Sequence, residues 1–132
     1  MNINRRSLMG SASAVALLLL MGTARAAQPV VEIIAFAHPP VQSALKPLRD
    51  WLATQGKHAR VVEIDMETPA GEKRAAAVGV TGHVPILVLV DGKYVFARKD
   101  GAAIELKSFP ALPNMKGSWT IDDAKAIISA AR

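Results

Sequence analysis

The chain has 132 residues and contains no cysteine. This absence excludes disulfides, cysteine-ligated zinc, iron–sulfur clusters and every thiol-based mechanism. The sequence also has no phosphate-binding glycine loop, no paired-carboxylate motif and no recognisable nucleophile–base pair. We therefore expect a protein that is not an enzyme. A hydrolase or isomerase with a histidine general base ranks last, because the sequence offers no partner to orient the ring.

The excess of positive charge lies largely in the N-terminal segment. The whole chain has 16 Lys and Arg against 11 Asp and Glu, a net charge of +5. Arg5, Arg6 and Arg25 all fall in the segment 1–26, so the segment 27–132 carries a net charge of only +2. The remaining charges are scattered, with no basic stripe interleaved with aromatic residues, and we expect no nucleic-acid partner.

The N-terminal segment 1–26 has the pattern of an export signal. A positive start with Arg5-Arg6 precedes an apolar run over 12–21, and Ala24-Arg25-Ala26 is an A-x-A cleavage site. We expect cleavage between Ala26 and Ala27 and delivery to the bacterial periplasm or exterior. The start NRRSLM fits a twin-arginine signal, and an ordinary Sec signal with two arginines is the alternative. No later apolar run reaches the roughly 18 residues that a membrane-spanning helix needs, so we expect no transmembrane segment in the mature chain.

Residues 27–132 have the pattern of a single α/β domain without internal repeats. A helix between successive strands indicates parallel pairing, and the Asp91-Gly92 turn indicates an antiparallel hairpin after the third strand. The segment 104–109 is a candidate for a further short edge strand. The predicted strands cover 30–36, 60–65, 85–90 and 93–98, and the predicted helices follow the first strand, the second strand and Thr120.

Proline and capping residues mark the predicted helix ends. Pro39 and Pro40 fit the start of the first helix, where a missing N–H costs nothing, and Gly56 fits its end. Thr68-Pro69 fits the start of the second helix. Thr120 and Asp123 have the spacing of a capping box for the last helix. The predicted order of elements is β-α-β-α-β-β-α.

This order and two segments resemble the thioredoxin-like superfamily. The segment VEIIAFAHPPVQSALKPL, 31–48, is similar to the strand, turn and proline-kinked helix that carry Cys-x-x-Cys in that family. Aligning Pro47 with the kinking proline puts Pro39 and Gln42 at the two cysteine positions, and a shift by one puts His38 and Val41 there. The second segment, GHVP at 82–85, is similar to the family's cis-proline loop.

The resemblance covers residues 29–131 and implies a three-layer thioredoxin-like sandwich with a mixed central sheet. It also implies that the Val84–Pro85 peptide bond is cis and faces the start of the first helix. Disulfide exchange does not carry over, because both thiols are missing. The first hypothesis is therefore a redox-inactive periplasmic module that binds a protein or peptide through the cis-proline face. Its binding residues are His38, Pro39, Pro40, His83, Val84 and Pro85.

A second hypothesis belongs to a different class. In a thioredoxin-like fold His38 and His83 lie on neighbouring loops, and neutral imidazoles are ligands for copper and zinc. The alternative function is therefore periplasmic copper or zinc binding or delivery, with His38 and His83 as two of the metal ligands. The sequence leaves a further ligand open among Met66, Met115, Asp65 and Glu67. The sequence leaves the oligomeric state open.

Two further residues carry structural expectations. Glu32 interrupts an apolar strand, and we expect it at a strand edge or sheet end rather than as a buried carboxylate. Trp119 precedes the last helix, where a hydrophobic residue commonly packs against the first turns of that helix.

Overall fold

The computed structural model describes residues 28–132, so the predicted export signal and its cleavage site lie outside the described residues. The chain folds as an α/β domain with a short 3₁₀ turn at Gly56–His58. Among these residues no helix is both long and apolar enough to cross a membrane. The elements are β1 (Val30–Ala35), α1 (Pro39–Gln55), β2 (Arg60–Asp65), α2 (Pro69–Ala77), β3 (Ile86–Val90), β4 (Val95–Ala97), β5 (Ala103–Glu105) and α3 (Ile121–Ala130).

The helices begin where the local signals predict. Pro39 and Pro40 occupy the first positions of α1. The Thr68 hydroxyl accepts the Gly71 N–H at 3.1 Å and so caps α2. At α3, the Asp123 N–H donates to the Thr120 hydroxyl and the Thr120 N–H donates to the Asp123 carboxylate, both at 2.9 Å. The predicted capping box is therefore confirmed.

The central sheet is mixed, with β1 between β2 and β3. β1 and β2 are parallel, as predicted. The prediction that β3 is parallel to its neighbours is wrong, because β3 runs antiparallel to β1 with Ala35 opposite Ile86. Parallel pairing requires the helix between two strands to return the chain to the end of the sheet where the first strand began. Here the loop 78–85 after α2 returns the chain to the end where β1 stops.

Only the turn of the predicted hairpin between β3 and β4 forms. The Val90 N–H donates to the Lys93 carbonyl at 2.8 Å, but β4 then pairs with β5 in a separate two-stranded sheet. Residues 106–108 take the place beside β3, where the Val88 N–H donates to the Leu106 carbonyl at 2.9 Å. Every residue of β3 is buried, and the fully buried Leu106 covers its edge, whereas Val95 in β4 is 49% exposed.

Two ion pairs show that helices cover both faces of the sheet. Arg74 on α2 forms hydrogen bonds of 2.7 Å to both carboxylate oxygens of Glu32 on β1. Arg49 on α1 binds Glu63 on β2, which lies beside Ile33 and so points to the opposite face from Glu32. α3 packs against α1. Glu32 therefore lies in the central strand with only 13% of its side chain exposed, and the expectation of a strand edge is wrong because Arg74 compensates the charge.

Trp119 joins the long connection between β5 and α3 to the core. Its side chain is fully buried, and its indole N–H donates to the Ser108 carbonyl at 3.0 Å. Its own carbonyl accepts the Ala111 N–H at 2.7 Å. The chain also approaches itself closely at Gly117, where a Cβ atom would lie 2.4 Å from the Phe109 carbonyl oxygen. The connection is therefore folded against the domain.

Candidate functional site

Three connections meet at one end of the sheet, where β1 and β2 finish and β3 begins. The Phe36 N–H donates to the Pro85 carbonyl at 3.0 Å, which joins the β1–α1 turn to the loop 78–85. The Met66 N–H donates to the Ala35 carbonyl at 2.9 Å, which adds the β2–α2 turn. The carboxyl ends of parallel strands share one edge, and ligands commonly bind there in α/β sheets.

These connections and α2 enclose an open cavity of about 700 Å³, which we call the sheet-end pocket. Its volume is within the usual range for small-ligand binding sites. The residues lining the sheet-end pocket are Phe36, Met66, Glu67, Glu72, Ala75, Ala76, Val80, Thr81, Gly82, His83 and Val84.

The wall formed by α2 lies close to the sheet because of Gly71. A Cβ atom at this position would lie 2.1 Å from the Asp65 carbonyl oxygen, so only glycine lets the first turn of α2 contact the end of β2. This contact places Glu72, Ala75 and Ala76 along one side of the pocket.

Phe36 is the shared contact of the two predicted histidines. Its ring centroid lies 5.7 Å from that of His38 in an edge-to-face arrangement and 4.6 Å from that of His83 in a tilted one. Both distances are within the range of attractive aromatic contacts. The prediction that the loops carrying His38 and His83 are neighbours is confirmed.

His38 has a partner that the sequence did not assign to it. Its Nε2 atom lies 2.5 Å from the Glu67 Oε1 atom, and the two side chains are 61% and 52% exposed. Exposed pairs of this kind contribute at most about 1 kcal/mol to stability. Glu67 lies just after the end of β2, the strand that pairs with β1. A carboxylate at the end of such a strand is the sequence signal that indicates a site residue.

The proline residues of the predicted site lie around the sheet-end pocket rather than in its lining. Pro39 and Pro40 are exposed at the start of α1 and supply no N–H there. Pro85 contributes its carbonyl to the Phe36 hydrogen bond. Of the six predicted binding residues, His83 and Val84 line the sheet-end pocket, and His38 reaches it through Phe36 and Glu67.

The prediction of a cis Val84–Pro85 bond is wrong, since the described residues contain no cis peptide bond. The trans form is intrinsically favoured by about 0.5–1 kcal/mol before proline. Gly82, with φ of 87°, reverses the chain instead, and the Val84 N–H donates back to the Gly82 carbonyl at 3.1 Å. The Val84 N–H is therefore engaged inside the loop.

Gln42 is a positioning residue that pattern reasoning missed. Its side-chain amide donates to the Phe36 carbonyl at 2.7 Å and accepts from the Arg49 guanidinium at 2.7 Å. This chain of hydrogen bonds ties the first turn of α1 to Phe36, at one of the two positions where the resemblance places a cysteine. A polar residue in the first turn of an apolar helix face is the signal that sequence reasoning had available.

The histidines do not assemble a metal centre in this part of the chain. Within residues 28–132 no group of three or more His, Asp or Glu side chains is arranged to hold a metal ion. Protein sites for zinc commonly use three or four protein ligands. His38 and His83 share the Phe36 contact, and Glu67 contacts His38, but within the described residues these three side chains do not form such a group.

No protein-family model, curated protein or solved structure matches the chain. The chemistry of the sheet-end pocket therefore follows from its own lining. Phe36, Met66 and Val80 make it partly apolar, Glu67 and Glu72 place two carboxylates on it, and no Lys or Arg is among the lining residues. This combination is suited to binding a group that is both apolar and polar.

Proposed function

We propose that the chain is a redox-inactive, thioredoxin-like binding module of the bacterial periplasm. The module binds an extended peptide or protein segment at the sheet-end pocket. The observation that carries this proposal is the position of the pocket, beside the start of α1 and against the loop that contains GHVP. The resemblance places the thioredoxin active site at this position, and the chain has no cysteine to perform redox chemistry there.

The arrangement of the sheet supports the thioredoxin-like part of the proposal. The order β2-β1-β3, with β3 antiparallel, agrees with a mixed central sheet. Residues 106–108 extend that sheet beside β3, and helices cover both faces. The export pattern of the segment 1–26 supports the periplasmic part.

The proposed binding mode uses side-chain recognition. Strand addition at the proline loop needs free backbone groups, but the Val84 N–H and the Pro85 carbonyl are already hydrogen-bonded within the domain. The sheet-end pocket instead offers an apolar surface around Phe36 and Met66 together with polar groups from α2 and the β2–α2 turn. One side chain of a bound segment enters it, and the flanking backbone lies across the exposed loop residues.

The proposed module is not an enzyme. The chain has no cysteine and so no thiol for redox or nucleophilic chemistry. Copper or zinc delivery by His38 and His83 is not the function we favour, because the described residues form no group of three metal-binding side chains.

Two neighbouring alanines on α2 provide the test. Ala76 and Ala77 are both exposed, but only Ala76 lines the sheet-end pocket. Protein expressed from the full-length sequence is screened against a random heptapeptide library, and the affinity of enriched peptides is measured by fluorescence anisotropy. We expect Ala76→Phe to obstruct part of the pocket and weaken binding about tenfold or more, a loss typical of blocking a central contact, while Ala77→Phe leaves it unchanged. Failure to enrich any peptide, or equal binding by the two variants, contradicts the proposal.

A further inference from the structure

Glu72, on the wall of the sheet-end pocket, differs from the other side-chain carboxylates of residues 28–132. Each of the others forms an ion pair or accepts a backbone N–H, whereas Glu72 does neither. The ion-paired carboxylates are Glu32, Asp50, Glu63, Glu67, Glu105, Asp122 and Asp123, and those that accept a backbone N–H are Asp65, Asp91 and Asp100.

Glu72 has no ion-pair partner within the described part of the chain. Glu67, the second carboxylate on the pocket, has a histidine as its ion-pair partner, which is a cation only when protonated. Arg74 on α2 is already ion-paired with Glu32, and the lining of the pocket includes neither Lys nor Arg. The sheet-end pocket therefore has two carboxylates and no Lys or Arg in its lining.

The same pocket is apolar on its other side. Phe36 and Met66 are buried core residues whose surfaces face the cavity, and Val80 adjoins them. A side chain with several methylene groups and a terminal positive charge matches a pocket that is apolar on one side and acidic on the other. Such side chains bury the methylene groups and keep the charge at a polar rim. An acidic side chain would bring a third negative charge next to Glu67 and Glu72, and a purely apolar one would leave Glu72 without a partner.

We propose that the sheet-end pocket takes a lysine or arginine side chain of the bound segment. The stem packs against Phe36, Met66 and Val80, and the charged head lies beside the carboxylates of Glu67 and Glu72. This inference rests on the proposed function, since it names the side chain that a bound peptide inserts. Charge complementarity of this kind sets partner selectivity and weakens as salt screens it.

Three matched peptides test the inference. The probes are Ac-Ala-Ala-X-Ala-Ala-amide with lysine, norleucine or glutamate at X, titrated into ¹⁵N-labelled protein expressed from the full-length sequence and followed by NMR at the Gly82 and His83 amides. We expect affinity to fall in the order lysine, norleucine, glutamate. Glu72→Gln lowers the affinity for the lysine peptide about two- to fivefold, as for a partly exposed ion pair, and leaves the norleucine peptide unchanged.

Glu105→Gln is the control, because Glu105 is a half-exposed carboxylate in β5 that does not line the sheet-end pocket. It should leave all three affinities unchanged. Equal affinities for the lysine and norleucine peptides, insensitive to Glu72→Gln, overturn the inference. The proposed function then still stands if Ala76→Phe abolishes binding. If none of these peptides and none of the heptapeptides binds, both proposals fail.

Discussion

The sheet-end pocket and the start of α3 use similar polar groups in different ways. At the start of α3, which we call the α3 cap, Arg98 binds both oxygens of Asp123, and Asp123 also accepts the Thr120 N–H. At the pocket, His38 and Glu67 meet with more than half of each side chain exposed, and Glu72 has no partner within residues 28–132. Mutually satisfied groups stabilise a fold, while exposed or unpaired ones add little to stability and are available to a ligand.

The difference extends to the aromatic residues. Trp119 at the α3 cap is fully buried and its indole N–H is hydrogen-bonded. Phe36 at the pocket is 7% exposed and carries no polar group. Its ring contacts the exposed imidazoles of His38 and His83. One aromatic side chain thus connects a long segment to the core, and the other forms part of an open cavity. Substitutions in the two regions should separate stability from binding.

The largest effect on stability is expected for Trp119→Ala. Removing a fully buried tryptophan costs about 3–5 kcal/mol, because apolar contacts are lost and a cavity remains. Urea denaturation followed by circular dichroism measures the loss. Trp119→Phe is the control, since it keeps much of the packing and removes the hydrogen bond to Ser108. A stability loss below about 1 kcal/mol for Trp119→Ala, well under the usual cost of a core truncation, would show that the α3 cap is not held by this side chain.

The second largest effect is expected for Glu32→Ala, in the ion pair that joins α2 to β1. The substitution leaves Arg74 without its partner, and because a third of the Arg74 side chain is exposed, we expect a loss of about 1–3 kcal/mol. The double variant Glu32→Leu with Arg74→Met should recover most of the loss, since it removes both charges. Denaturant midpoints of wild type, Glu32→Leu, Arg74→Met and the double variant measure this coupling, and additive effects of the two single substitutions would contradict it.

An acid-dependent effect of intermediate size is expected at the α3 cap. The hydrogen bond from Arg98, helped by the Thr120 backbone and hydroxyl, lowers the pKa of Asp123 below its ordinary value of 3.8. The folded pKa is therefore below the unfolded one. The stabilisation is fully present above about pH 4 and is lost as pH falls through the folded pKa.

Thermal unfolding between pH 7 and pH 2 measures this contribution. Asp123→Asn should lower stability by about 1 kcal/mol at pH 7, the scale of a typical intramolecular hydrogen bond, and the difference from wild type should vanish at low pH. Asp122→Asn is the control, because the Asp122 side chain is 94% exposed. A difference that persists unchanged to pH 2 would rule out the carboxylate charge as its origin.

The smallest effects on stability are expected at the sheet-end pocket. His38→Ala and His83→Ala should each change the free energy of unfolding by less than about 0.5 kcal/mol, because both residues are exposed. Denaturant unfolding beside zinc and copper titration of the same variants checks this expectation. A loss above about 2 kcal/mol, which exceeds the usual effect of a surface substitution, would remove the contrast with the α3 cap. Tight metal binding that disappears in both variants would favour metal delivery over peptide binding.

Local sequence signals predicted most element bounds correctly. The predicted strand at 60–65 and the capping box of Thr120 and Asp123 match the structure, and α1 ends at Gly56 as expected. These features depend on residues a few positions apart, so periodicity and capping rules suffice. The direction of β3 and the pairing of β4 with β5 depend on where the loop 78–85 and the segment 106–108 return in space, which local patterns do not contain.

The candidate site was predicted in outline only. His38 and His83 were expected on neighbouring loops, and the structure places both against Phe36. Glu67 and Glu72 were not assigned to the site, because each resembles an ordinary solvated residue when the sequence alone is considered. The Val84–Pro85 isomer was predicted from the resemblance, but hydrogen bonds of Val84 and Pro85 hold a trans loop.

The sequence by itself determined the chemistry that is excluded and the identity of the helices and strands. The absence of cysteine and the spacing of the apolar residues are properties of the sequence and do not depend on the fold. The tertiary structure alone decided which charges are compensated. Glu32 and Arg74 are 42 positions apart and pair between β1 and α2, whereas Glu72, two positions from Arg74 on the same helix, faces the sheet-end pocket without a partner in residues 28–132. The physical reason is geometric, because adjacent helix positions point in different directions and only packing determines what each direction meets.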